Sequence, residues 1–355
     1  MPGLQSFYMS QTKTSTPFAL LINDIHVSSN TLDDFRRNWE EALEICKGCH
    51  INHIIIGGDL WTSRASQTLD VLMVVDAALT QASASNIIVD IADGNHDKVD
   101  QESYISYNRL FRHIPNVRHI QRTKSYDLDG VTLLVMSYFP EDTTFTSELN
   151  TALGALYGVK KKDIILYIHE GINGALGSSN GKELPASLFK GFKQVLVGHY
   201  HDRNKVADNI MYIGSSRQHN FGEDEAKGYT ILYMDGSTKF IENQANLRYR
   251  TIEVAPDEVK ELGDEVASLI ADDYKVKVKI TGDSTSVKTV DRQRLIDMGV
   301  TKVEVVAETD VTEAHNADFT TKYDKSGLKE EYKTFCSQKE ITDIQTGIKY
   351  LDKIN

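Results

Sequence analysis

Seven short apolar runs, each closed by polar residues, mark the first two-thirds of the chain: FALLIND, HIIIGGD, IIVDIADGNHD, TLLVMSYFPED, DIILYIHEG, QVLVGHYH and NIMYIGSS. Short β-branched runs bounded by Gly, Asn or Asp read as buried strands. Between them, TLDDFRRNWEEALEICKGC, TLDVLMVVDAALTQAS and SELNTALGALYG space their apolar residues about 3.6 apart, which predicts helices. Strands alternating with helices predict an α/β fold. In the first helix Leu32, Phe35, Trp39 and Leu43 share a face, and Gly48 is the expected left-handed cap. From RYRTIEV the pattern restarts on a smaller scale. Helix-like PDEVKELGDEVASLIADD and DRQRLIDMGV alternate with YKVKVKI and TKVEVVAET, as in a small βαβαβ unit. A charged stretch then reads as a linker, and EITDIQTGIKYLDKIN closes the chain. There Ile341, Ile344, Ile348 and Leu351 recur at intervals of three, four and three, a narrow seam of the kind that packs against another helix.

Composition narrows the function classes. With 355 residues and 40% hydrophobic content the chain can bury a real core, and a net charge of -12 argues against a broad basic surface. Any nucleic-acid binding must therefore use local patches or bound cations. No apolar run approaches the roughly 20 residues of a membrane span, and MPGLQSFYMSQTKTSTPF lacks the features of a signal peptide, so a cytoplasmic location is expected. Three cysteines, Cys46, Cys49 and Cys336, fit a reducing compartment. Cys46 and Cys49 form a CxxC, but it lies on a helix with no second pair to complete four ligands, so it reads as structural.

The chemistry gathers where the strands end. The first yields Asp24 and His26, the second Asp59, the third Asn95, His96 and Asp97, the fifth His169, and the sixth His199 and His201. In α/β sheets the loops beyond the carboxyl ends of the strands converge, so these side chains should meet. Carboxylate and amide oxygens mixed with imidazoles suit a divalent cation. Seven candidate ligands exceed one site, and a shared carboxylate would hold two cations about 4 Å apart, as used to clamp a phosphoryl group.

In this order DIH, GGD, GNHD, a strand-end His and GHYH resemble the signature blocks of the calcineurin-like metallophosphoesterases. GGDLWTSR, HEGINGA and GSSRQHNFGEDEAKGYTIL further resemble the SbcD-type DNA repair nucleases of bacteria and phages. The likeness covers roughly residues 17 to 245. It implies a four-layer αββα sandwich with a small α/β capping domain and a C-terminal helical tail. The corresponding boundaries are an extension at 1–16, a nuclease domain at 17–247, a cap at 248–309, a linker at 310–324 and an ATPase-binding tail at 325–355.

The resemblance assigns one metal to Asp24, His26, Asp59 and His201 and another to Asp59, Asn95, His169 and His199, with Asp59 bridging. Manganese is the expected ion, with magnesium, iron or zinc as alternatives. His96 is left as the catalytic imidazole, with Asp97 as its orienting partner, and a metal-bound hydroxide as the attacking group. Thr62 stands where the family has His or Asp. Thr62, Arg203, Arg217 and His219 are candidate substrate contacts, and Ile341, Ile344, Ile348 and Leu351 a candidate partner seam. The implied function is a manganese-dependent DNA exonuclease and endonuclease subunit, acting on double-stranded ends, hairpins and single strands. It would work as a homodimer with an SbcC-type ATPase in a heterotetramer. Two alternatives remain: a stand-alone metallophosphatase or phosphodiesterase, and a catalytically weak structural subunit.

Overall fold

The computed structural model describes residues 15–101, 103–176 and 183–308, with separate helical positions between 329 and 351. Its first twelve strands are β1 (Pro17–Ile22), β2 (His53–Gly57), β3 (Ile88–Ala92), β4 (Val117–Ile120), β5 (Thr123–Asp127), β6 (Thr132–Met136), β7 (Ile164–His169), β8 (Gln194–Gly198), β9 (Asn204–Ala207), β10 (Ile210–Tyr212), β11 (Gly228–Tyr233) and β12 (Thr238–Glu242). They form two six-stranded sheets, ordered β12-β11-β1-β2-β3-β4 and β5-β6-β7-β8-β10-β9. The pairs β1–β2, β2–β3, β6–β7 and β7–β8 are parallel, and antiparallel partners close the edges at β12, β5 and β9.

Alternation along each strand sorts the apolar side chains into three layers. Ile54 and Ile56 of β2 pack with Phe35, Trp39 and Val75 of α1 (Leu32–Gly48) and α2 (Leu69–Ala84). Ile55, between them, faces Leu133, Tyr167 and Leu196 of the second sheet. On that sheet's outer side, Leu134, Leu166 and Val197 meet Phe145 and Leu149 of α3 (Thr143–Ala155). Helix, sheet, sheet and helix are thus stacked on three cores, which is why β2 is buried at every position.

The first helix departs from its expected end. It runs through Gly48, Cys49 caps it at φ -99, and His50 takes the left-handed conformation at φ 56. Ile45 and Cys46 are buried and anchor the last turn, so the reversal falls to exposed His50, a residue type that enters this region more readily than most. Burial pushes the Cys46 thiol up to about 12, and among the described residues neither cysteine of the CxxC joins a ligand cluster.

Further along, β13 (Arg248–Val254), β14 (Tyr274–Asp283) and β15 (Lys302–Glu308) form a three-stranded sheet in that order, with α4 (Gly263–Ala271) and α5 (Arg292–Asp297) between them in sequence. The chain separates into two compact units that interleave in sequence: Met1–Thr251, Asp264–Lys277 and Met298–Thr301, and Ile252–Gly263, Val278–Asp297 and Lys302–Asn355. α6 (Ile344–Leu351) falls in the expected tail, with Ile344 and Ile348 half-buried. Ile341, the 310–324 linker, residues 1–14 and the Leu351 side chain lie outside the described residues. No described helix is long and apolar enough to cross a membrane.

Candidate metal centre

The loops after β1, β2, β3 and β8, with the last residue of β7, bring the seven candidate ligands together. Ligand atoms of Asp24, His26 and His201 lie within 4.8 Å of one another, and so do those of Asp24, Asp59 and His169. Asp59 Oδ2 sits 3.5 Å from His26 Nε2 and 3.3 Å from His169 Nε2. His26 Nε2 and His201 Nε2 are 3.2 Å apart, and Asn95 Oδ1 is 3.1 Å from His199 Nδ1. Asp24 is therefore common to both groups, and Asp59 stands between their imidazoles.

Three of the imidazoles are held by the same nitrogen. Nδ1 of His26 meets the Trp61 carbonyl at 3.2 Å, that of His169 the Gly57 carbonyl at 3.1 Å, and that of His201 the Glu223 carboxylate at 2.8 Å. A ring that donates from Nδ1 presents the Nε2 lone pair, the usual arrangement of a metal-ligating histidine. His169 Nε2 is buried and makes no hydrogen bond. Nitrogen and carboxylate donors without thiolate suit a divalent transition metal, so these residues fit the cations that the motifs imply.

The backbone is strained where these side chains are aimed. Asp24, His26, Asp59 and His199 have φ of 51, 48, 53 and 97, the left-handed region that non-glycine residues avoid. Two glycines make the crowding possible. Gly58 has φ 108 and a side chain there would strike the His169 ring, while one at Gly94 would strike the Asp59 carboxylate.

Electrostatics point the same way. Burial opposes charge at Asp59, yet His169 and His26 hold its carboxyl well below the usual carboxylate range. Burial also disfavours a charged His169, but Asp59 and Asp24 pull that imidazole up to about 10. Two buried carboxylates thus call for positive charge. A bound divalent cation would supply it.

Several expected roles change. Asp97 does not touch His96: its carboxylate accepts from the backbone N–H of Asp59 at 2.9 Å, Gly94 at 2.6 Å and Trp61 at 3.2 Å. It is buried and ties the loops after β2 and β3 together. His96 is oriented instead by the Thr62 carbonyl, 2.8 Å from its Nδ1, so position 62 acts on it through the backbone. Arg217 is 2% exposed, and its guanidinium donates to the carbonyls of Ile25 and Gln218 at 3.2 and 3.3 Å. Arg203 donates to the Ile213 carbonyl at 2.8 Å and lies 4.1 Å over the Phe240 ring. Both arginines donate to main-chain carbonyls behind the ligands, Arg217 from a buried position and Arg203 from a half-buried one beside His199 and His201. His219 Nε2 meets the Asp24 carbonyl at 2.7 Å, and its ring packs on His26 and His201.

Two participants carry no signal of their own in the sequence. Asn23 donates to the Asp24 carboxylate at 2.8 Å and accepts from the Tyr167 hydroxyl at 2.7 Å. Glu223 holds His201, and only its place inside the FGEDEAKG stretch of the SbcD-like block could have drawn notice.

No family model matches the chain. It is 24% identical over 213 residues to "Putative phosphoesterase 078R" of Invertebrate iridescent virus 3, covering 58% of this chain and 58% of that protein. It is 25% identical over 223 residues to "Putative phosphoesterase 244L" of Invertebrate iridescent virus 6, covering 60% of this chain and 74% of that protein. Among solved structures it matches the Pseudomonas putida nuclease MPE with 14% identity over 63% of this chain and 87% of that one. The TM-score of that match is 0.29, and at that value it carries no argument about fold or chemistry.

Proposed function

We propose that this chain is a metal-dependent phosphodiesterase of the metallophosphoesterase type, acting on DNA. The observation that carries the reading is Asp59 Oδ2, 3.5 Å from His26 Nε2 and 3.3 Å from His169 Nε2, between an imidazole of each group of ligand-type atoms. The phosphoesterase names of the two viral relatives support the reaction class. DNA as substrate, manganese as the metal and an SbcC-type ATPase as partner rest on the SbcD-like blocks alone.

Asp24, His26, Asp59 and His201 would hold one cation and Asp59, Asn95, His169 and His199 the other. Bound divalent cations lower the pKa of water and draw charge from phosphoryl oxygens, so they supply both the nucleophile and the electrophilic pull. The chain's own residues do the rest. With Nδ1 donating to the Thr62 carbonyl, the doubly protonated ring of His96 can deliver its Nε2 proton to the leaving oxygen and is left as the neutral imidazole. Asp97 keeps the Asp59 and Gly94 loops in register, so the ligand atoms need not reorganise as charge develops. The half-buried Ile344 and Ile348 of α6 are the described part of the seam that would meet a partner helix.

A second reading keeps the reaction and changes the substrate. Arg203 and Arg217 are committed to carbonyls, which favours a small phosphodiester over a long phosphate backbone. Purified protein incubated with manganese and either a labelled DNA hairpin or bis(p-nitrophenyl) phosphate separates the two. Cleavage of both is the expected result. Cleavage of the small ester alone refutes DNA, and cleavage of neither refutes the phosphodiesterase.

A further inference from the structure

The block after the last histidine pair is folded around one carboxylate. Glu223 has a side chain 8% exposed. Its Oε1 accepts from His201 Nδ1 at 2.8 Å and from Asn220 Nδ2 at 2.7 Å. Oε2 accepts from the His219 backbone N–H at 3.0 Å, with Lys227 Nζ 3.6 Å away. Lys227 is itself buried, donating to the His201 carbonyl at 2.7 Å and pairing with Asp202. Side chain and backbone of His201 are thus gripped from the same loop. On the other side of the ring, His201 Nε2 lies 3.2 Å from His26 Nε2, in the group that includes Asp24.

We propose that Glu223 is a positioning residue that keeps the proton of His201 on Nδ1 and its Nε2 lone pair turned to the cation shared with Asp24 and His26. The loop from His219 to Lys227 thereby tunes one of the two cation sites and not the other. A carboxylate behind a ligating imidazole fixes its tautomer and raises its basicity, and losing such a partner costs about 10- to 100-fold in metal affinity. The inference rests on the two-cation reading, and its test is arranged to separate the two.

Manganese alone is titrated into metal-stripped, full-length protein by calorimetry. Wild type should bind two ions. Glu223→Gln should weaken one site about tenfold and Glu223→Ala about a hundredfold, with the second site unchanged. No manganese binding by wild type overturns the two-cation reading itself. Two normal sites in Glu223→Gln, or equal weakening of both, overturns the role of Glu223 and leaves that reading standing. Should either variant fail to fold, nitrogen NMR of the wild-type His201 ring decides, read at a pH high enough that its spectrum shows a single ring proton. A His201 proton on Nδ1 upholds the proposal, and one on Nε2 overturns it.

Discussion

Two buried carboxylates in neighbouring strands meet opposite fates. Asp90, inside β3, accepts from His53 Nε2 at 2.7 Å, from Arg118 at 2.8 and 2.5 Å, from Lys124 at 3.0 Å and from the Tyr126 hydroxyl at 2.6 Å. Its charge is answered entirely by the chain, which makes a closed tie. Asp59, just beyond β2, accepts the His96 backbone N–H at 2.8 Å on Oδ1, while Oδ2 faces imidazoles only. Among the described residues its ion-pair partners are the imidazoles of His26 and His169, groups that can give up their charge as arginine and lysine do not. Aspartate beside histidine occurs in both places. What distinguishes a metal centre is a local shortage of positive charge, combined with ring nitrogens left bare.

The largest test removes the open carboxylate. Asp59→Asn should lower phosphodiesterase turnover on the order of 10³-fold and abolish binding of both cations, judged by single-turnover assays and metal analysis. Melting of the chelated protein should change little. If turnover survives with metals bound, the open cluster is not the catalytic one.

His96→Ala sharpens the division between holding cations and moving protons. Turnover should fall about 10²- to 10⁴-fold with manganese content kept at the wild-type level. Loss of the metals would make His96 a ligand.

For the closed tie the effect moves to stability. Asp90→Asn should cost about 3 kcal/mol, at the low end for breaking a buried pair because Arg118 and Lys124 are partly exposed. Activity per folded molecule should persist. The pH dependence follows from the same contacts. Burial resists ionisation of Asp90, but His53, Arg118, Tyr126 and Lys124 hold its carboxyl well below the usual range. A depressed folded-state pKa contributes stability that is fully present above the unfolded value of about 4 and is lost on further acidification. Chemical denaturation of Asp90→Asn below about pH 4 should show a shallower loss than wild type. Parallel curves would mean that Asp90 is not the titrating group.

The smallest effect concerns Thr62. Since the backbone carbonyl holds His96, Thr62→Ala should change turnover by less than about threefold. A larger fall would assign work to the hydroxyl.

How much of this was legible beforehand follows from the range of each interaction. The α/β alternation and the ligand types at the strand ends could be read from FALLIND, HIIIGGD, GNHD and GHYH, because apolar runs and the polar residues that close them are local properties of the chain, whereas the layering was an expectation from the family resemblance. The edge strands β4, β5, β9 and β12 carry half-exposed mixed patterns such as VRHI, TKSYD and NKVA, and periodicity does not mark them. Chain order likewise cannot say which buried aspartate faces guanidinium and which faces imidazole. Asp90 finds Arg118 and Asp97 finds the N–H of Asp59 only once strands from distant parts of the sequence are paired. The tertiary structure alone set the Asp97 carboxylate on the N–H groups of Asp59 and Gly94, drew Arg203 and Arg217 onto carbonyls and set Glu223 behind His201. Each outcome is decided by which donor and which acceptor are left unpaired in a crowded interior, and that is a property of the folded whole.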